Sequence, residues 1–397
     1  MRRRAIIHWG ISSFFGWGVY GLNLALAWSR STRIEPLASL PIGTDQIAVD
    51  KLRRLTLNEF FAASADLVEK LRPFAGRPVS LDVPLLAALG NDFKVGAGAH
   101  GALVAGRPTI GVVFFETPQL DAETVARARS LPLIVAGSTW NERILREYGL
   151  TNVTTVIQGI DPTLFHPAPR GGFLSDRFTV FSGGKLELRK GQDLVVASFS
   201  RFARRHPDAL LVTAWHSPWP QLARTVDASG RATPVVLGAG GAVDVAAWGA
   251  ANGIPATQLL DLGAVPNAMM PQVLREMDVA LFPNRSEGGT NLVAMECMAC
   301  GVPTILSANT GHLDLIEEGA CYPLEIQRPV AGHGAGVGGT PGWGESNIDE
   351  IVSTLERAYS DRADARTRGE RGAAKLAGLT WARTADAMEA IVLSQAA

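Results

Sequence analysis

"LFPNRSEGGTNLVAMECMACGVPTILS", residues 281–307, decides how the second half of the chain is read. Its apolar opening reads as a strand ending near Phe282, and a polar loop carrying Glu287, Gly288 and Gly289 follows. A helix is expected from Asn291, with Thr290 as its cap; it runs through Leu292 and stops at Gly301, with Pro303 beyond. Glycines ahead of a helix let backbone N–H groups approach an anion closely, and the helix dipole adds favourable potential there. The loop is therefore a candidate phosphate site. Glu296 is the only charged side chain between Leu292 and Thr304. It either marks a solvent-facing stripe or is partly buried and needs donors, which the hydroxyls of a ribose could supply.

Working outward, the second half contains further apolar runs: "RFTVFSGG" from Arg177, "ALLVTAW", "ATPVVLGAG", "ATQLLDLGAV", "DVALFPN" and "VPTILSA". The first half alternates in the same way through "RRAIIHWGI", a helix from about Val19 to Trp28, "PVSLDVP", "PTIGVVFF", "LPLIVAGS" and "NVTTVIQGI". Strand and helix in alternation imply mostly parallel sheets covered on both faces, so the fold class is α/β with two Rossmann-like domains. Between them "DPTLFHPAPRGGFLSD", residues 161–176, has the proline and glycine content of a linker. Expected boundaries are 1–168 for the first domain, 169–378 for the second and 379–397 for a C-terminal helix. The tract "VAGHGAGVGGTPGWGESN", residues 330–347, reads as a surface loop, and the last helix, from about Thr380 to Leu393, is amphipathic. Ligands of such sheets bind beyond the carboxyl ends of the strands, and two sheets facing each other would make a cleft.

Composition bounds the partners. The chain has 397 residues, 47% hydrophobic and 19% charged, which fits a folded protein of two domains. A net charge of −1 gives no reason to expect nucleic acid as a partner. Cys297, Cys300 and Cys321 are too few for a paired zinc site and read as reduced core residues of a cytoplasmic protein. Arg2 to Arg4 before an apolar stretch could suggest a signal peptide or anchor. His8, Ser12, Ser13, Asn23 and the glycines break that run and favour strand, turn and helix. Peripheral contact with the inner face of a membrane stays open, as does oligomeric state.

"FFGWGVYG", residues 14–21, places Gly16, Gly18 and Gly21 in the G-x-G-x-x-G spacing between a strand and a helix. A nicotinamide dinucleotide site would need an acidic residue about 20 positions on to hold the ribose, and Glu35 is the candidate.

The pattern S-E-G, small residues, then L-V-x-x-E-x-M-A-C-G-x-P resembles the nucleotide-sugar signature of retaining GT-B glycosyltransferases of the family 4 type. "FSGGKLELRKGQDLVV" from Phe181 resembles that family's G-R-x-x-x-x-K-G segment, "VIQGIDPTLFHP" from Val156 its N-G-V-D-x-x-x-F-x-P segment, and "LGAVPNAMMPQVLREMDVALFP" from Leu262 the region beside the nucleobase. The resemblance implies a GT-B fold with the C-terminal helix packing back on the N-terminal domain. It also implies a nucleoside-diphosphate sugar as donor, UDP- or GDP-linked, and retention of anomeric configuration. On this resemblance Lys185 and Lys190 grip the diphosphate, Glu287 positions the sugar, and Glu296 holds the ribose. Gly18, Gly184, Val265, Gly288, Gly289, Thr290, Asn291 and Leu292 line the donor. Glu116, His100 and Tyr20 are candidates toward an acceptor, which could be a glycan, a lipid-linked sugar or a small molecule. Glu116 stands where the family often has a histidine, and is also a candidate for the catalytic set. The sequence departs from the family in two further respects. Eight residues, Gly288 to Met295, separate the two glutamates instead of seven, and Lys185 replaces an arginine, a point charge in place of a bidentate fork. No D-x-D motif is apparent, so a mechanism without metal or other cofactor is expected, with lysines and amides carrying the leaving-group charge. Two alternatives remain: an NAD-dependent oxidoreductase using the first glycine loop, and a non-catalytic sugar-nucleotide-binding protein on the same fold.

Overall fold

A computed structural model describes residues 2–216, 219–238, 241–330 and 340–395. The chain forms two compact units: residues 1–159 with 266–268 and 379–397, and residues 160–265 with 269–378.

The first unit contains β1 (Arg3–His8), β2 (Ile34–Ala38), β3 (Pro78–Ser80), β4 (Leu85–Leu89), β5 (Leu103–Ala105), β6 (Thr109–Val113), β7 (Ile134–Ala136) and β8 (Val153–Thr155). Six of them make a parallel sheet in the order β2-β1-β4-β6-β7-β8, while β3 and β5 pair separately. The apolar runs that announced β1, β6, β7 and β8 are continuous as expected for a covered parallel sheet, and residues 5–8 of β1 are buried without alternation; β2 and β4 fall outside the quoted runs, and "PVSLDVP" holds the short β3, which is not part of this sheet. The C-terminal helix Trp381–Gln395 belongs to this unit. Trp28 donates its indole N–H to the Ala385 carbonyl at 3.2 Å, Thr384 donates its hydroxyl to Ile157 O at 2.9 Å, and Trp381 stacks on Tyr20 with centroids 5.6 Å apart.

The second unit contains β9 (Phe178–Gly183), β10 (Ala209–Ala214), β11 (Leu259–Asp261), β12 (Val279–Phe282), β13 (Thr304–Ser307), β14 (Tyr322–Leu324), β15 (Gln327–Pro329) and β16 (Gly344–Ser346). The first six form a parallel sheet in the order β11-β10-β9-β12-β13-β14. The chain leaves β9 toward β10 and leaves β12 toward β13, so the connections diverge between β9 and β12. That divergence opens a crevice at the carboxyl ends of these two strands. The corresponding divergence in the first sheet lies between β1 and β4.

Three expectations are corrected. The run "ATPVVLGAG", residues 232–240, forms no strand among its described residues, only an isolated bridge from Leu237 to Val243. Residues 160–168 belong to the second unit, where Arg275, the C-cap of helix Met270–Leu274, donates to the carbonyls of Leu164 at 2.7 Å and His166 at 3.1 Å and ties the proline-rich stretch to that helix end. The glycine-rich tract is not wholly a loop: β16 pairs antiparallel with β15, Glu345 opposite Arg328, while residues 331–339 lie outside the described residues. Glycine content concealed a strand whose partner is only a short distance back along the chain.

Candidate active site

β9 ends at Gly183, and Gly184, at φ 116°, turns the chain where a Cβ would meet the Lys190 stem at 3.7 Å. A short 3-10 turn, Leu188–Lys190, then leads to Gly191 at φ 71° and the helix Gln192–Ala203. Gly191 is needed twice over: its φ is left-handed, and a Cβ there would stand 2.4 Å from the Pro283 carbonyl oxygen. The loop after β9 thereby packs backbone to backbone on the loop after β12. Arg285 N–H donates to Arg189 O at 2.7 Å across the same contact.

These two loops bring opposite charges together. The Lys190 ammonium donates to Glu287 Oε1 at 2.5 Å, and Arg189 donates to Glu287 Oε2 at 3.0 Å and to Glu187 Oε1 at 2.5 Å. Asn284 Nδ2 also donates to Glu287 Oε1. Lys185 stands 3.6 Å from Glu187 and extends the chain of charges outward. Burial opposes ionisation of Glu287, but Lys190 and Arg189 outweigh it and hold the carboxyl at about 2. Burial also presses the Lys190 pKa down, and the neighbouring Arg189 adds to this, while Glu287 favours the charged ammonium. Three cations against two carboxylates leave the cluster with one net positive charge, which suits an anionic ligand.

Glu287 is fixed from its backbone as well. Its N–H donates to Thr310 Oγ1 at 2.8 Å and its carbonyl accepts from Gly311 N–H at 3.0 Å. A Cβ on Gly311 would lie 1.8 Å from the Gly289 carbonyl oxygen, so only glycine lets the turn after β13 approach the Gly288–Gly289 loop this closely. Asn291 adopts φ 63°, and its Nδ2 donates to His312 Nε2 at 3.1 Å. The opposite ring nitrogen therefore carries the proton, and Nδ1–H is donated to Ser307 Oγ at 3.0 Å, whose own hydroxyl donates to Asn284 O at 2.6 Å. Burial holds His312 near 4, so the ring is neutral at pH 7.

The helix begins at Leu292, and Asn291 occupies the cap position without a side-chain cap bond. Thr290, the expected cap, instead donates its hydroxyl to Met295 Sδ at 3.0 Å. Glu296 is 6% exposed, which removes the solvent-facing alternative. Val265 is half-buried in the loop after β11, beyond the carboxyl end of that strand.

Beneath the site, Arg285 is fully buried and forked. It donates to Asp193 Oδ1 at 2.8 Å and Oδ2 at 2.6 Å, to Glu345 Oε2 at 2.8 and 3.0 Å, and to Leu188 O at 2.8 Å. It thus joins the loop after β12 to the first turn of the helix after β9 and to β16. Arg189, Glu187, Asn284, Arg285 and His312 were not singled out from the sequence. The first four lie inside the quoted motifs, where a basic doublet before glycine was the available signal; His312 lay in a segment without one.

The first unit is different. Gly18 packs against Ser12, whose Cβ would be 2.5 Å from an added Cβ, so this glycine serves the approach of helix Gly16–Ser29 to the strand-end loop. Tyr20 is 1% exposed among Trp9, Trp17, Phe114 and Trp381, which removes it from the acceptor candidates. His100 is exposed on a turn at φ 57°, and Glu116 is half-buried three residues past β6. Glu35 pairs in register with Arg4, near the start of β1, whereas the glycine loop follows His8 at its end. About four residues of strand, roughly 13 Å, separate the two, and the dinucleotide reading loses its ribose ligand. Among the described residues no group of three or more His, Cys, Asp or Glu could hold a metal ion.

Residues 266–388 match the family described as family 4 glycosyltransferase in conflict systems. Over 176 residues the chain is 28% identical to the GDP-mannose-dependent alpha-(1-6)-phosphatidylinositol monomannoside mannosyltransferase of Mycolicibacterium smegmatis, a stretch covering 41% of this chain and 40% of that protein. The fold is similar over nearly full length to solved glycosyltransferases. Sucrose-phosphate synthase of Thermosynechococcus elongatus gives a TM-score of 0.66 at 15% identity, covering 98% of each chain. HepE of Anabaena in complex with UDP gives 0.62 at 13%, covering 99% of this chain and 100% of that one. The trehalose 6-phosphate synthase of Burkholderia multivorans gives 0.62 at 14%, covering 99% of both. The architecture is GT-B.

Proposed function

We infer, from a chain of the family 4 glycosyltransferase type with a GT-B fold, a retaining enzyme that moves a sugar from a nucleoside-diphosphate sugar to an acceptor hydroxyl. The observation that carries this reading is the buried Lys190–Arg189–Glu287 cluster in the crevice between β9 and β12. An ammonium carries three donors, and among the described residues Glu287 engages one of them. The others suit the diphosphate, with Lys185 at the outer edge and the Gly288–Gly289 loop opposite.

Cleavage of the bond between the anomeric carbon and the phosphate oxygen places the electron pair, and hence negative charge, on the departing diphosphate. Lys190 and Arg189, already held by Glu287 and Glu187, stabilise that charge without reorganising. The acceptor hydroxyl attacks from the leaving-group face and its proton passes to the departing phosphate, so no protein nucleophile is required. Glu287 accepts from the sugar's hydroxyls and Glu296 from those of the ribose. Glu116 and His100 are the first unit's candidates toward the acceptor, and a carbohydrate, lipid-linked or small-molecule acceptor fits equally. No metal ion enters the scheme.

The test is release of nucleoside diphosphate from a panel of UDP- and GDP-sugars, with and without EDTA. Release from one donor, undiminished by chelator, supports the reading. Release that EDTA abolishes and magnesium or manganese restores would overturn the charge-stabilisation scheme, and no release from any donor would leave a binding protein.

A further inference from the structure

The donor reading leaves one aromatic side chain at the same sheet edge without a role. Trp219 is 49% exposed, unusual for a large indole, and it follows β10 by five residues. β10 lies between β9 and β11 in the sheet. The end of β10 anchors both neighbouring loops: Gly184 N–H donates to Ala214 O at 3.2 Å, and Leu262 N–H donates to Thr213 O at 2.8 Å. Strand order therefore sets the Trp219 loop between the phosphate side, Gly184 and Lys185, and the loop after β11 that carries Val265.

The ring is also tied to the charged cluster. Lys185 Nζ lies over the indole, 5.3 Å from its centroid, within reach of a cation–π interaction. Lys185 in turn faces Glu187, which accepts from Arg189, which donates to Glu287. An isolated exposed aromatic is ordinary on a protein surface. One that lies beside a cation of the ligand cluster, at the carboxyl edge of a parallel sheet, is placed to offer a planar face to the ligand.

We propose that Trp219 is the stacking residue for the nucleobase of the donor, a role that rests on the donor reading above. Stacking on an indole accepts purines and pyrimidines alike, because every base has a π-face, so Trp219 supplies affinity for the nucleoside while the loop carrying Val265 selects the base.

The experiment measures, by calorimetry, the affinities of UDP, GDP, ADP, TDP and inorganic pyrophosphate for wild type, Trp219→Ala, Trp219→Phe and Lys185→Ala. Trp219→Ala should weaken the preferred nucleoside diphosphate about ten-fold and leave pyrophosphate within about two-fold, with Trp219→Phe retaining most of the affinity. Lys185→Ala should weaken both ligands. Quenching of indole emission by the nucleoside diphosphate should fall sharply in Trp219→Phe. Unchanged nucleotide affinity in Trp219→Ala overturns the proposal, and so does an equal loss for pyrophosphate, which would make Trp219 a support for Lys185. Wild type that binds pyrophosphate but no nucleoside diphosphate, or binds neither, removes the donor reading and this role together.

Discussion

Lys190 and Glu287 are each the reason the other stays charged in a buried place. Replacing Lys190 with alanine removes the cation where negative charge develops, so turnover should fall by about 100-fold or more. A rise in donor KM with unchanged kcat would assign Lys190 to ground-state binding instead. Glu296→Ala should chiefly raise the donor KM; unchanged donor affinity would detach Glu296 from the ribose. His312 makes a separate prediction. Its folded value near 4 lies below the ordinary 6.5, so its stabilising contribution is complete above pH 6.5 and is lost as pH falls through 4. Glu287, depressed from 4.5 to about 2, loses its contribution only below pH 4.5. Between pH 6.5 and 4.5 the decline in unfolding free energy should therefore shrink in His312→Gln. An identical slope in the variant would mean that His312 is not neutral in the folded state. His8, also depressed by burial, contributes to the residual slope in the same window.

At the scale of elements, the site depends on two loops held together by backbone contacts and by Arg285. Its guanidinium pairs with fully buried Asp193 and with Glu345 of β16. Arg285→Ala would strand the Asp193 carboxylate, at a cost of about 3–5 kcal/mol, measurable by denaturant unfolding. A change of less than about 1 kcal/mol would show that water reaches the pair and that the fork does not hold the loops. Strands β1, β6, β7, β8 and β9 to β13, and the loop carrying Glu287, were legible because apolar runs and glycine positions follow from local physics; β2, β4 and β14, short or interrupted by proline and alanine, were not, and "ATPVVLGAG" is apolar without forming a strand among its described residues. Nor was the cap legible. Asn291, not Thr290, holds the cap position, in a left-handed conformation pinned by a histidine 21 positions later. Such a partner cannot be read from local spacing. Tyr20 misled for a different reason, being buried among aromatic rings that its local spacing does not reveal. A glycine-rich strand-to-helix turn has the same spacing whether or not its glycines also admit close packing on the strand-end loop, and here Gly18 admits Ser12.

Across the whole molecule, two parallel sheets repeat one plan, each with its connections diverging beside its central strands. The buried charge cluster found among the described residues at such a divergence lies in the second unit, and the central claim follows from this: the second unit holds a nucleoside diphosphate through Lys190 and its neighbours. A ligand that binds only the folded state raises the unfolding temperature with the logarithm of its saturation. The most direct measurement is a thermal-shift panel of UDP, GDP, ADP, TDP and NAD on the wild-type chain and on Lys190→Ala. The account predicts a rise with one nucleoside diphosphate, none with NAD, and loss of the rise in Lys190→Ala. A rise with NAD alone, retained in Lys190→Ala, would contradict it and return the ligand to the glycine loop at residues 14–21.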